Sequence, residues 1–263
     1  MTKEKSNTVK SVLKAFAIIE ELDKAGELSI GELSKRLSMD KSTVHRLINT
    51  IKEAGYVNQN EENRKYSNSL KLFAIGNKVV KNTGIKKIAR PYLECLADKS
   101  GETINLGVRV GAKIIYVDKI ESSSTIRAGL EIGMTVPTYC SGLGKAILAF
   151  TPEETLNEVL DEINIFKKYT KKTIENRADF LKELEVVRKN GYSIDDEEYV
   201  DGLICFGVPV FDYHGNPVAA VSISFPKYRY DELKHREMHS KLLLETSNEI
   251  SKQLGYKSGD YNF

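Results

Sequence analysis

Between Leu28 and Val57 the chain reads LSIGELSKRLSMDKSTVHRLINTIKEAGYV, two short helical patterns separated by a gap of three or four residues. So short a gap forces a sharp change of direction, and the two helices must share one core. The first start is marked twice. Ser29 and Glu32 stand at capping-box spacing, and Leu28 and Leu33 stand where a hydrophobic staple needs them, which predicts a helix over residues 29–37. SMD breaks it. Asp40 stands where it can cap the next helix, which is expected to run to Ala54 before Gly55 ends it. Val44, Leu47, Ile48 and Ile51 recur at helical spacing and form its apolar stripe.

The opposite face of that helix carries Lys41, Ser42, Thr43, Arg46, Asn49 and Thr50, with His45 at the margin and no acid before Glu53. Arginine pairs with guanine, asparagine with adenine, and serine or threonine with phosphates or bases. Ser42 and Thr43 also stand near the helix N-terminus, where the backbone dipole favours phosphate. An ordinary solvated helix shows the same wheel, so the neighbouring elements decide. Upstream, Val9, Val12, Leu13, Phe16, Ile19 and Leu22 mark an amphipathic helix that Gly26 stops. Downstream, short strands at Tyr56–Val57 and Lys65–Tyr66 flank the polar turn NQNEEN, and Arg64 and Lys65 stand where a wing reaches flanking DNA backbone. The order is that of a winged helix-turn-helix. SLKLFAIGNKVVKN then reads as a linker helix. Its stripe of Leu70, Phe73, Val79 and Val80 needs a partner, and the same helix of a second chain would supply one.

The character changes at Gly84. A helix with Pro91 near its first turns precedes strand-like runs at 102–110, 112–121 and 124–132. Helices follow at GLGKAILAF, TPEETLNEVLDEI and ENRADFLKELEVVRKNG, then two apolar strands, LICFGVPVFD and PVAAVSISF, joined by the turn YHGN. A last helix spans residues 230–254, and the tail GYKSGDYNF is expected to fray. The fold class is α+β, with an antiparallel sheet flanked by helices in the second domain. The expected boundaries are 1–67 for the winged helix-turn-helix, 68–84 for the linker helix and 85–263 for the second domain. A net charge of only +2 means that any nucleic-acid contact is local. Cys95, Cys140 and Cys205 are scattered and odd in number, which fits a reducing compartment. No apolar run approaches the ~18 residues of a membrane span, and MTKEKSNTVK lacks a signal-peptide core. The expectation is a cytoplasmic protein with no membrane partner.

The segment from Leu28 to Val57 resembles the DNA-binding region of the IclR family of bacterial transcriptional regulators. GETINLGVRVGAKIIYVDKIES, VPTYCSGLGKAILA and GYSIDDEEYVDGLICFGVPVFDYHGNPVAAVSIS resemble that family's effector domain, so the likeness covers nearly the whole chain. Asp40 is a departure, because the family often has proline there; this alters the helix start and leaves the exposed face intact. The resemblance implies a GAF-like second domain that holds a small organic or sugar acid, and a homodimer, in many members a dimer of dimers, on a double-stranded DNA operator. It implies an effector pocket near Gly142, Leu143, Asp195, Leu203, Cys205, Ser222 and Ser224, with Ala128 and Val136 as apolar lining. The residues suit this. Gly142 begins a helix whose first N–H groups can meet a carboxylate, and Ser222 and Ser224 point the same way from one strand. The competing reading makes those serines satisfied core residues and Cys205 a small buried hydrophobe.

Other signals are set aside. GLGK lacks a Walker loop's remaining positions, since Tyr139 and Ala146 stand where glycine and a hydroxyl residue are needed. His235 and His239 share helical spacing without a third ligand, and a solvated face is the simpler account. Within IDDEE, Asp195 is a ligand candidate, and Asp196, Glu197 and Glu198 read as solvated. His214 falls in a turn. No catalytic residue, metal or cofactor is expected. The alternatives to a ligand-responsive repressor are an enzyme with a DNA-binding appendage and a purely architectural DNA binder.

Overall fold

The first helix, α1 (Lys10–Ala25), stops at Gly26, whose φ of 77° no branched residue adopts easily and whose N–H returns to Leu22 O. The structure, a computed structural model, describes residues 8–82, 84–122 and 130–257. The chain divides into two units, residues 1–82 and 83–263. In the first, Ser29 caps α2 (Ile30–Arg36) from both sides. Its Oγ accepts from Glu32 N at 3.3 Å, and Glu32 Oε2 accepts from Ser29 N at 2.7 Å. The backbone bond from Ser29, then the bond from its hydroxyl, hold the Glu32 carboxyl down at about 2. The turn to α3 (Lys41–Glu53) passes through Ser38 at φ 49°, and Ser34 Oγ ties it by donating to Met39 O at 2.6 Å. Asp40 does occupy the N-cap of α3, but its side chain makes no capping bond, contrary to expectation. It is exposed, and water competes for the carboxylate.

Strands β1 (Val57–Gln59) and β2 (Tyr66–Asn68) pair antiparallel, and Tyr66 also bridges Leu28, so the wing is anchored on the start of α2. The next helix, α4 (Leu70–Asn82), lies within the first unit. Ile18, Leu22, Leu33, Val44, Ile48 and Val57 form the core. The expected stripe of α1 is corrected here: Val9, Val12, Leu13 and Phe16 are exposed, and the inner face is Ile18 and Leu22. The core of this unit covers only the C-terminal half of α1.

The second unit opens with α5 (Ile85–Ser100), in which Pro91 is the seventh residue, at the end of the second turn. Among the described residues six antiparallel strands follow in the order β5-β4-β3-β8-β7-β6. They are β3 (Thr103–Val110), β4 (Lys113–Ile120), β5 (Thr135–Pro137), β6 (Ser193–Asp196), β7 (Leu203–Phe211) and β8 (Pro217–Pro226). The run 124–132, read above as a strand, falls largely outside the described residues, and the edge strand is β5. β6 overlaps the start of the stretch read as an acidic cluster. Between β5 and β6 come α6 (Gly142–Ala149), α7 (Glu153–Glu162) and α8 (Arg177–Asn190); α9 (Glu232–Gln253) closes the unit. Helix α6 lies on one face of the sheet, with α8 packed against it, and α5 and α9 pack together on the other face.

Candidate functional site

On α3 the apolar stripe turns inward, with Val44, Ile48 and Ile51 buried and Leu47 half-buried. Each such side chain contributes about 1.5–3 kcal/mol when fully buried, so the orientation of the helix is firmly set. That leaves Lys41, Ser42, His45 and Arg46 exposed, with Thr43 and Asn49 half-buried beside them. The Asn49 amide nitrogen stands 3.5 Å from the His45 ring nitrogens, one turn back. Thr50 Oγ1 is occupied by the carbonyl of Arg46 at 3.0 Å. Lys52 donates to Gln59 Oε1 at 2.9 Å and so braces α3 against the wing. Arg64 is exposed at the wing turn in a left-handed conformation, φ 58°. Lys65 instead lies 3.5 Å from Glu32 Oε1, tied to the cap of α2.

In the second unit the expected effector residues gather on the sheet face that carries α6. The register sets two rows. Asp195, Cys205, Ser224 and Thr103 lie side by side across β6, β7, β8 and β3. One step along lie Ser193, Gly207, Ser222, Asn105 and, on β4, Lys119. Opposed residues on paired strands share a face, so both rows point toward α6. The approach is close. A Cβ on Gly207 would stand 2.5 Å from Gly142 O, and one on Gly144 would stand 2.2 Å from Thr138 O. Ser141 Oγ caps α6 by accepting from Gly144 N at 3.2 Å. Val136, Leu143, Leu203 and Cys205 join Ile114 and Tyr116 in one buried cluster. Ser222 and Ser224 are buried and bridged by Asn105, whose Nδ2 donates to both hydroxyls at 3.2 and 3.1 Å. Ser224 Oγ lies 3.1 Å from Cys205 Sγ. Ala128 lies outside the described residues.

Asp195 and Glu198 are both buried on this side of the sheet. Glu198, expected to be solvated, is buried, and both Glu198 and Glu183 accept from Lys145 Nζ. Lys145 is itself 0% exposed, and its third proton goes to Ile194 O. Burial pulls this ammonium down, but the carboxylates of Glu198, Glu183 and Asp195 outweigh it and hold the group above its ordinary value. Asp195 accepts from Glu198 N at 2.8 Å. Burial first, then the nearby charge of Glu198, pushes its carboxyl up to about 7. Asp196 and Glu197 are the partly exposed members, paired with Lys172. His239 corrects the other expectation of a solvated face. It is fully buried, with Phe206 and Phe225 edge-on at 5.9 and 4.9 Å.

The model of the IclR helix-turn-helix domain matches residues 11–61, and that of the bacterial transcriptional regulator IclR C-terminal region matches residues 77–252. The chain belongs to the IclR family of bacterial transcriptional regulators. The HTH-type transcriptional regulator KdgR of Dickeya chrysanthemi is 39% identical over 257 residues, 98% of this chain and 83% of that one. The HTH-type transcriptional repressor AllR of Escherichia coli K12 is 31% identical over 93% of this chain and 90% of its own. Among solved structures, the Thermotoga maritima IclR aligns with a TM-score of 0.70 at 36% identity, covering 94% of this chain and 99% of that one. Like its IclR relatives, this chain is a DNA-binding transcriptional regulator. Sequence reasoning missed three polar residues of its effector domain: Asn105, Lys119 and Lys145. Lys145 carried a legible signal, a lone charge inside the apolar helix GLGKAILAF. Asn105 and Lys119 carried none, because only strand pairing sets Asn105 beside Ser222 and Lys119 beside Asn105.

Proposed function

We propose that this IclR-family regulator binds a near-palindromic operator as a homodimer and represses transcription until a small carboxylic acid occupies the α6-side face of its second unit. The exposed, acid-free face of α3 carries the DNA half of this reading, since it offers Lys41, Ser42, His45 and Arg46 as donors from a helix locked by its buried side. Arg46 is the base reader, Thr43 and Asn49 flank it, and Arg64 approaches the neighbouring backbone from the wing. Lys65, paired with Glu32 at 3.5 Å, keeps donors free to join it. The second half rests on the clustering of Asp195, Cys205, Ser222 and Ser224 beside the start of α6, with Leu143, Leu203 and Val136 as apolar walls. Repression is the direction named for AllR. The second unit acts by binding rather than turnover, in the cytoplasm; among the described residues no helix is long and apolar enough to cross a membrane.

The test is DNA binding by Arg46→Ala. Operator fragments selected from genomic DNA by the wild-type protein should bind the variant about 5- to 150-fold more weakly, the equivalent of about 1–3 kcal/mol for a lost bidentate base contact. Preference among operator variants should relax at one base pair per half-site. Unchanged affinity and unchanged preference would remove α3 from the groove.

A further inference from the structure

The strand register sets an unsatisfied amide beside the serines of the effector face and a cation beside that amide, and neither belongs to the set expected from sequence. Asn105 is buried, and its Nδ2 is spent on Ser222 and Ser224. Its Oδ1 has no hydrogen-bond partner. The orientation of the amide follows from its neighbours. The proton of Ser224 goes to Cys205 Sγ, so that hydroxyl accepts from Asn105, which leaves the carbonyl oxygen free. A buried acceptor without a donor is destabilising, and a bound molecule carrying a hydroxyl would satisfy it.

Directly across the ladder from Asn105 stands Lys119. Its side chain is only 9% exposed, and Glu121 takes one of its donors at 3.1 Å. Lys145, the other lysine beside this face, has no proton to give, because Glu183, Glu198 and Ile194 O take all three. The face is therefore polar in one direction: a lysine at the β4 end and the Asp195 carboxyl at the β6 end. With Lys145 fully paired, Lys119 is the cation that draws a carboxylate on this face, toward β4.

We infer that Lys119 and Asn105 complete the effector site, and that the site selects a hydroxylated carboxylic acid, the acid group on Lys119 and a hydroxyl on Asn105 Oδ1. This rests on the proposal that the effector occupies the α6-side face. A site built to pair a hydroxyl rejects the analogue lacking it, because the buried acceptor is then left bare.

The experiment is calorimetric titration of the full-length protein with glycolate, glycerate, gluconate and galacturonate. Acetate, propionate and hexanoate are the hydroxyl-free controls, and sorbitol is the uncharged one. At least one hydroxy acid should bind, and its hydroxyl-free counterpart should bind at least tenfold more weakly. Lys119→Gln should cut acid affinity at least tenfold and erase the advantage of gluconate over sorbitol. Asn105→Asp should lower affinity for the acid, because a second carboxylate repels it, and thermal melts check that both variants fold. If no hydroxy acid binds, or if the hydroxyl-free acids bind as well, the inference is overturned. If Ser222→Ala with Ser224→Ala loses the acid while Lys119→Gln binds it as the wild type does, this inference alone falls. If the double serine variant retains full affinity, the effector lies elsewhere and the underlying proposal falls with it.

Discussion

Gly144 and Gly207 show how a single missing methyl sets the geometry of the effector face. Alanine in a helix interior ordinarily improves on glycine by up to about 1 kcal/mol, yet a Cβ at Gly144 would strike the backbone of Thr138 at 2.2 Å. Backbone cannot swing aside as a side-chain tip can. Gly144→Ala is therefore expected to destabilise the protein by more than about 2 kcal/mol in urea unfolding, the scale of overpacking, and to loosen the seat of α6. A stabilising or neutral result would mean that α6 is not wedged against the turn before it. Lys145, the next residue, makes the same point with charge. Its burial is tolerable only because three acceptors surround it.

At the scale of the element, α9 is held to the sheet partly by a histidine that cannot afford a proton. His239 packs against Phe206 and Phe225, and neither ring nitrogen has a partner. Burial first, then the neighbouring His235, pulls its imidazole down to about 4 from an ordinary 6.5. A depressed value means that the unfolded chain takes up the proton first. The contribution is thus complete above about pH 6.5 and is lost progressively as the pH falls toward 4, by about 3 kcal/mol in all. His239→Leu should keep its stability near pH 8 and show a shallower loss between pH 7 and pH 5, read by denaturant midpoints at each pH. Identical slopes in the two proteins would remove His239 as the source of acid sensitivity. The opposite sign holds for Asp195, whose raised value favours the folded state at low pH, and comparing the two proteins cancels that contribution.

The whole molecule leaves apolar surface uncovered on its first unit. Leu70 is 83% and Phe73 70% exposed on α4, and Val12, Leu13 and Phe16 are exposed on α1. Solvent exposure of this extent on a helix is a standing invitation to association, and the homodimer proposed above would cover it. Phe73→Lys removes no contact from the unit's core, so its melting temperature should change little. Sedimentation should show a weaker dimer, and operator affinity should fall with it, because two half-sites are then no longer bound together. A variant that stays dimeric and binds the operator normally would move the dimer contact off α4.

Much of this architecture could be read along the chain. The capping box at Ser29, the stripe from Val44 to Ile51, the Gly26, Gly101 and Gly191 helix ends and the β7–β8 hairpin all depend on residues within a few positions of one another. Local spacing records local forces, so these survive translation into structure. Two short strands, β5 and β6, escaped that reading because three or four residues carry too little period, and the other main misreadings concern which face a neighbour covers. Phe16 and Leu22 share one helical pattern, and only packing decides that Leu22 is inside. Nothing near Glu198 in the chain announces Lys145, 53 positions away, and nothing near Ser222 announces Asn105, 117 positions away. The sequence by itself determined the helices, the longer strands and the polarity of α3. The tertiary structure alone decided which polar groups were taken out of water together, because desolvation depends on what closes over a residue and not on what adjoins it in the chain.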